Sequence, residues 1–339
     1  MNSLGVFVAP GKPRALELAR ELVTLAEHRG MAIHLQRECA VGIEREDLGR
    51  GTDAEIATAD ALVVFGGDGT VLHAARLAAP HRTPILAIDL GRLGFLSAVH
   101  PGDLADAFAR LVAGGFETEE RMMLETRVFR DSETRGLDQD ISLQSLQPFP
   151  ARHQGNGRGD DVGYDVPENL PGFIDGRPRR DVGGSIGLND AVVAKSALAR
   201  ILHLSIYIDG RLTAETRADG LIVSTPTGST AYALSAGGPI VHPNIPLLLI
   251  CPICPHSLTQ RPIVVGPDET LDILAEWDGD EVADSELEAM LTVDGQVGMG
   301  LRPSDVIRVQ RAAVSTTLLR LPDDNFYARL REKMRWGAN

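Results

Sequence analysis

Residues Val63–Arg76 read VVFGGDGTVLHAAR, an apolar strand that breaks at Gly66, Gly67, Asp68, Gly69 and Thr70 before a helical run sets in. Glycines let backbone N–H groups approach a phosphate closely, and the helix that follows adds a positive dipole end. Outward from this stretch, short apolar runs alternate with helical patterns. These are LGVFVA at Leu4–Ala9, a stripe of Leu16, Ala19, Leu22, Val23 and Ala26, MAIHL at Met31–Leu35, ADALVVFGG at Ala59–Gly67 and PILAIDLG at Pro84–Gly91. Strands separated by helices imply parallel pairing through right-handed crossovers, and such sheets bind ligands beyond the carboxyl ends of their strands. GGDGT lies at such an end, so an α/β domain with a parallel sheet is expected over residues 1–116.

After Glu117 the pattern changes to strands at Met122–Arg130, Leu188–Lys195, Ile201–Asp209, Leu221–Thr225, Arg261–Gly266 and Leu271–Trp277. An all-β second domain is expected over 117–311, with a segment at 312–339 returning to the first. Val306–Leu319 reads as further strand, and Phe326, Leu330 and Met334 mark one face of a terminal helix. Between Asp131 and Ser185, GNGRGDD, PENLPG and DGRPRRDVGG replace periodic hydrophobics, the composition of a long, mobile insertion. The RGD at Arg158–Asp160 is read as chance. No fixed-period repeat is present.

The chain has 339 residues, a length that suggests two domains of about 100–200 residues each. Lys and Arg number 33 against 47 Asp and Glu, a net charge of −14. No basic block is available to neutralise nucleic-acid phosphates, so any anion must be held locally. The longest apolar run, Ile245–Cys254, is interrupted by Pro246 and Pro252 and is too short for a membrane helix. Met1 runs into Leu4–Ala9 without a positive n-region or cleavage site, and three cysteines do not suggest a disulfide framework; a cytoplasmic location is expected. Cys251, Cys254 and His256 invite a zinc reading, but a fourth ligand and a second CxxC are missing, and no metal site is assigned to them.

Two stretches carry chemistry. Asp68 is the one carboxylate in the first glycine turn. A carboxylate beside a phosphate cradle makes sense if it engages a hydroxyl or a metal ion, and its plainer role is to cap the helix. The second stretch, DGLIVSTPTGSTAYALSAGGPIVHP at Asp219–Pro243, is dense in hydroxyls and glycines. A strand delivers Thr225, Thr227, Ser229 and Thr230 to a glycine-broken turn, a helix is expected near Ser229, and Tyr232 can offer its face to a base.

Taken in order, GGDGT at Gly66–Thr70, NDAVV at Asn189–Val193, the block Asp219–Ile240, CPHSLTQRPIVV at Cys254–Val265 and FYARLREKMRWG at Phe326–Gly337 resemble the NAD kinase family. The resemblance covers nearly the whole chain outside 131–185. It implies a Rossmann or flavodoxin-like first domain, a β-sandwich second domain, and Mg²⁺-dependent transfer of the ATP γ-phosphoryl group to the 2′-hydroxyl of the adenosine ribose of NAD. Asp68 matches the family's proton acceptor, with Gly69 and His73 beside it. Asn189 and Asp190 match its Asn-Glu pair, although Asp190 is one methylene shorter, a loss of roughly 1.5 Å of reach. Arg200, Arg217 and Asp219 match residues lining the dinucleotide site, often completed by a neighbouring subunit. Thr230, Ala231, Tyr232, Ala233, Leu234 and Ser235 match the adenosine pocket, and Gln296 a late polar contact.

The implied assembly is a homodimer or homotetramer, with nucleotides as the partners and neither nucleic acid nor membrane. Two other functions keep part of the pattern. A diacylglycerol-type lipid kinase shares GGDGT but would need a membrane-facing apolar or basic surface, which the acidic chain does not suggest. A non-catalytic NAD sensor would keep the second block without needing an intact GGDGT.

Overall fold

The computed structural model describes residues 1–49, 51–91, 94–131, 147–148, 179–196, 201–257, 259–277 and 288–334. The chain divides into two compact units, Met1–Arg121 with Val314–Asn339, and Met122–Ala313.

In the first unit four strands run parallel in the order Ala32–Leu35, Ser3–Val8, Ala61–Phe65, Ile85–Ile88. The last of them is followed by the end of the strand Val306–Arg320, with Leu318 opposite Ile85. Every residue of Ala61–Phe65 and of Ile85–Ile88 is buried, as a parallel sheet covered on both faces requires. The helix Pro13–Glu27 starts with a proline, which its first turn tolerates, and buries Ala15, Leu18, Ala19, Leu22, Val23 and Ala26. The helix Asp68–Ala78 buries Val71, Leu72, Ala74, Ala75 and Ala78. The second strand lies on one side of the first and the third on the other, so the order reverses between Ser3–Val8 and Ala61–Phe65. A reversal of this kind opens a crevice at the strands' carboxyl ends, where Gly66 and Gly67 begin.

The terminal helix Phe326–Met334 belongs to this unit, as expected. Its buried face differs from the expected stripe: Leu330 and Arg329 are buried and Met334 is exposed. Arg329 can be buried because its guanidinium is paired with Asp324 and donates to the Phe95 carbonyl at 2.8 Å.

The second unit is a β-sandwich. One sheet runs Ile263–Val265, Leu248–Ile253, Gly220–Ser224, Asp190–Lys195, Ala289–Val293, Val297–Leu301, antiparallel throughout, with Gln147–Pro148 added parallel at its edge. The other pairs Arg211–Ala218, Leu202–Ile208, Leu271–Glu276 and Val306–Arg320 in that order, all antiparallel. Val193, Leu221, Val223 and Leu291 from the first sheet pack with Leu204, Ile206, Ile273 and Ile307 from the second in one core.

Arg179–Gly187 is a strand, paired antiparallel with Glu117–Asp131. The expected insertion therefore does not run on to Ser185, since Arg179–Ser185 is strand. Only Arg179, Gly183, Ile186 and Gly187 of that strand are buried, and its Arg, Asp and Gly content hides the alternation that normally signals a strand. The expected mobile stretch and its RGD lie otherwise outside the described residues.

Candidate active site

The turn after Ala61–Phe65 is built by close contact. The Gly66 N–H donates to the Ile88 carbonyl at 3.1 Å, and a side chain at Gly66 would collide with that of Thr70. Gly67 precedes the helix in extended conformation and is exposed, with open space where a Cβ would stand. Its carbonyl accepts from Thr70 N–H at 2.9 Å, which closes the first helical turn.

Asp68 does not cap its own helix. Its carboxylate is turned to the loop after Ile85–Ile88, where Oδ2 accepts from Phe95 N–H at 3.2 Å and Oδ1 from Leu96 N–H at 3.1 Å. Gly94 is glycine for this reason, since a Cβ there would strike Asp68 Oδ1. A carboxylate offers about four acceptor sites, and two are used. Asp68 is half-buried, so the remaining lone pairs can meet a hydroxyl.

One turn on, His73 is held rather than free. Nε2 lies 2.9 Å from Asp53 Oδ2, Nδ1 lies 3.3 Å from Arg76 Nη2, and the ring meets Phe7 edge-on at 5.8 Å. The Arg76 N–H can only donate, so the arrangement fits the tautomer with its proton on Nε2. Asp53 is held below the usual carboxylate range, first by His73 and also by Gln36, against the opposing effect of burial. Gln36 in turn accepts from Val8 N–H at 3.1 Å. These contacts tie the helix to the carboxyl end of the first strand.

In the second unit three loops meet. The Ser224 hydroxyl and Thr225 N–H both donate to the Asn189 carbonyl, at 3.2 and 2.9 Å. Asp294, in the Asp-Gly turn between Ala289–Val293 and Val297–Leu301, has a positive φ of 53°, followed by 63° at Gly295, a geometry these residue types tolerate. Its carboxylate accepts from Leu188, Asn189 and Asp190 N–H at 2.9, 2.7 and 3.2 Å. Asp190 is 5% exposed, and its carboxyl is pushed up to about 7, first by burial and then by the charge of Asp294. Gln296 follows the same turn, with its N–H donating to the Val293 carbonyl at 3.0 Å.

The hydroxyl-rich block is organised differently from the expectation. Thr227–Thr230 is a single 3-10 turn and Tyr232–Ser235 one helical turn, not a longer helix from Ser229. Gly237, with φ of 82°, turns the chain away immediately afterwards. The hydroxyls build the turn: Thr225 donates to Leu188 O at 2.5 Å, Ser229 to Pro226 O at 2.7 Å and Thr230 to Thr227 O at 3.3 Å. Gly228 passes so close to the Asn189 carbonyl that no side chain fits. Tyr232 and Ser235 are exposed, Thr230, Ala231 and Leu234 half-buried, and Ala233 is in the core with Val192, Ile222 and Cys251.

Comparison with known proteins places these loops in context. Residues 4–116 match the model of the ATP-NAD kinase N-terminal domain, and residues 188–321 that of the ATP-NAD kinase C-terminal domain. An NAD kinase of Moorella thermoacetica is 38% identical, covering 100% of this chain and 91% of its own. One of Citrifermentans bemidjiense is 36% identical over 99% of both. The chain belongs to the NAD kinase family. Two solved structures share the fold: a yeast NADH kinase complexed with NADH, with a TM-score of 0.76 at 23% identity over 100% of this chain and 89% of that one, and an NAD kinase from Archaeoglobus fulgidus in complex with ATP, with 0.65 at 20% identity over 99% of both.

As a member of the NAD kinase family, the chain places its expected site residues in three groups. Gly66, Gly67, Asp68, Gly69, Thr70 and His73 share the first unit's turn and helix. Asn189, Asp190, the Thr225–Ser235 block and Gln296 converge in the second. Arg217 and Asp219 do not join them. Asp219 pairs with Lys195 at 3.0 Å, at the far end of the strand pair whose near end sets Asp190 opposite Ser224, and Arg217 is exposed on an edge strand. Arg200 lies outside the described residues.

Sequence reasoning missed the loop Gly94–Ser97 and Asp294. The glycines in GRLGFLS were a usable signal for the loop. The Asp-Gly pair of VDGQ signalled a turn, but not the three N–H groups its carboxylate would hold. Among the described residues no group of three or more His, Cys, Asp or Glu is placed to hold a metal ion. Cys39 and Cys251 are buried thiols, pushed up to about 11 by burial, and Cys254 is exposed. No helix among the described residues is long and apolar enough to cross a membrane.

Proposed function

We propose that this chain transfers the γ-phosphoryl group of ATP to the 2′-hydroxyl of the adenosine ribose of NAD, giving NADP and ADP. The observation that carries the reading is the Asp68 carboxylate, fixed by Phe95 and Leu96 N–H on one side and half-open on the other, at the point where strand order reverses. A ribose hydroxyl is a weak nucleophile. Asp68 accepts its proton as the oxygen bonds to the γ-phosphorus and the bond from that phosphorus to the β–γ bridging oxygen breaks, leaving ADP. The rest of the barrier falls through positioning and charge neutralisation. Gly66, Gly67, Gly69 and Thr70 form the turn that lets phosphates approach the backbone.

Mg²⁺ is read as travelling with ATP, since it commonly binds through substrate phosphates and waters with few protein carboxylates, and it would neutralise phosphate charge. Asp68, half-open beside the glycine turn, is the described carboxylate that would stand nearest such an ion. In the second unit Asn189 and Asp190 are assigned to the ribose and amide groups, Gln296 to a further polar contact, and Thr230, Ala231, Tyr232, Ala233, Leu234 and Ser235 to the adenosine, with exposed Tyr232 offering its ring and buried Ala233 only support. Asp219 stands five residues along the chain from Ser224, roughly 16 Å in extended strand, and Arg217 lies on the separate strand Arg211–Ala218, which favours their serving the site of a second copy in a homodimer or homotetramer.

The test is a coupled assay. Purified protein with Mg²⁺, ATP and NAD yields NADP, and Asp68→Asn keeps NAD binding while losing most turnover. Absence of NADP with every phosphoryl donor tried would overturn the assignment.

A further inference from the structure

Three arginines of the first unit, Arg121, Arg320 and Arg329, are buried within one cluster with Glu119 and Asp324. Arg320 stands at the end of the strand Val306–Arg320. Its Nε donates to Glu119 Oε2 at 2.8 Å, its Nη1 to the carbonyls of Leu96 and Ser97 at 3.0 Å each, and its Nη2 to that of Phe95 at 3.1 Å. Arg329 Nη1 donates to the same Phe95 carbonyl at 2.8 Å. A guanidinium spent largely on backbone carbonyls, with two others within the same cluster, is a costly arrangement. The crowding is visible in Arg121, pushed down to about 10 by burial and then by the charge of Arg320, and in Arg329, lowered for the same two reasons. Glu119 is lowered overall: burial works to raise it, and Arg121 and Arg320 outweigh that effect.

The peptide unit between Phe95 and Leu96 explains where this charge is directed. No peptide bond among the described residues is cis, so the carbonyl of Phe95 and the N–H of Leu96 point in opposite directions from one plane. On the carbonyl side stand Arg320 and Arg329; on the N–H side stands Asp68 Oδ1. Cations on the carbonyl polarise the peptide, which strengthens the hydrogen bond its N–H donates. The next peptide on each side is held too, through the Phe95 N–H to Asp68 Oδ2 and through the Leu96 carbonyl to Arg320. We infer that Arg320, seconded by Arg329, is a positioning residue for Asp68, acting through the Phe95–Leu96 peptide to fix the direction of the carboxylate that faces substrate. This rests on the proton-acceptor role given above to Asp68, and it reaches that residue from the opposite end of the chain.

The experiment is a double-mutant cycle in the full-length protein, read with backbone amide exchange. Arg320→Gln lowers kcat about 10- to 100-fold, the range seen when a supporting partner of a reacting group is lost, while KM for NAD and for ATP moves less than about threefold. Arg320→Lys restores only part of the loss, because one ammonium cannot reach Glu119 and three carbonyls together. In an Asp68→Asn background, Arg320→Gln lowers kcat no further. The same fold loss in both backgrounds would overturn the coupling.

Amide exchange at Phe95 and Leu96 speeds up in Arg320→Gln with the rest of the first unit still protected; unchanged exchange at these two amides would equally refute the inference. Should Arg320→Gln not fold, Glu119→Gln, which keeps an acceptor but removes the counter-charge, gives the same pattern at smaller amplitude. If Asp68→Asn itself left kcat intact, the proton-acceptor role would fall, and the exchange measurement would still decide whether Arg320 fixes this peptide.

Discussion

Asp68 and Asp294 are bound in the same manner and left in different states. Each reaches across, Asp68 from the start of a helix and Asp294 from a turn, to accept backbone N–H groups of a neighbouring segment, two for Asp68 and three for Asp294. Asp68 is half-buried with acceptor capacity to spare, whereas Asp294 is 8% exposed and stands beside the buried carboxyl of Asp190. On the proposed function, one fold uses a carboxylate twice, as a reagent where it is half-open and as a clamp where it is buried. Exposure, not residue type, separates the two.

The sharpest way to break the comparison is to neutralise each in turn. Asp68→Asn keeps shape and removes the proposed proton acceptor, so kcat is expected to fall by about 10²- to 10⁴-fold while urea stability changes little. Asp294→Ala does the reverse. It strands three N–H groups, two of them on buried residues, and lowers unfolding free energy by about 2–4 kcal/mol, read from the urea midpoint, and it raises KM for NAD as Asn189 loses its support. A large loss of stability from Asp68→Asn, or a mainly kcat effect from Asp294→Ala, would show that the roles are misassigned.

Much of this was open to sequence reading, for reasons that differ by region. The parallel strands were legible because residues such as Leu62–Phe65 are buried on both faces and so form unbroken apolar runs. Asp68 stood out because glycines surround it. Its partners could not be read, because the N–H groups of Phe95 and Leu96 are backbone and carry no sequence signature. Arg320 ends a strand and is indistinguishable in sequence from a solvated surface charge. The hydroxyls of Thr225, Ser229 and Thr230 suggest a ligand site by composition, yet Ser229 and Thr230 bond within their own turn and Thr225 bonds the Leu188 carbonyl of a neighbouring loop, and composition cannot give a hydroxyl its direction.

A smaller effect tests the clamp's neighbour. Asp190 titrates near 7 in the folded protein against 3.8 when free of it. Between those values the native state holds a proton that the unfolded chain has released, so stability falls as pH rises from about 4 to about 7 and levels off above. The slope is at most about 1.4 kcal/mol per pH unit. Asp190→Asn is neutral at every pH and removes this component. Urea midpoints at pH 5 and 7.5 would therefore lie closer together in Asp190→Asn than in the parent. An unchanged gap would mean that Asp190 is not protonated in the folded state.

The smallest change expected touches neither carboxylate. Asp131 and Arg179 face each other at the end of the hairpin formed by Glu117–Asp131 and Arg179–Gly187, so their backbones lie about 5 Å apart whatever joins them. Removing residues 138–176 shortens that connection from 47 residues to eight, still ample for a hairpin loop. Loop-closure entropy favours the shorter chain by about 1.5 kcal/mol. The loss of Gln147–Pro148, paired to Val297 and Gly298 at a sheet edge, acts against it. The two nearly offset, so the melting temperature shifts by a few degrees at most and kcat and KM stay within about twofold, since 1 kcal/mol moves a domain of this size only about 2–4 °C. The deletion also bears on the clamp, because Val297 follows closely on Asp294. A rise in KM for NAD with kcat preserved would extend the clamp to that edge, while a fall in kcat alone would tie the segment to Asp68.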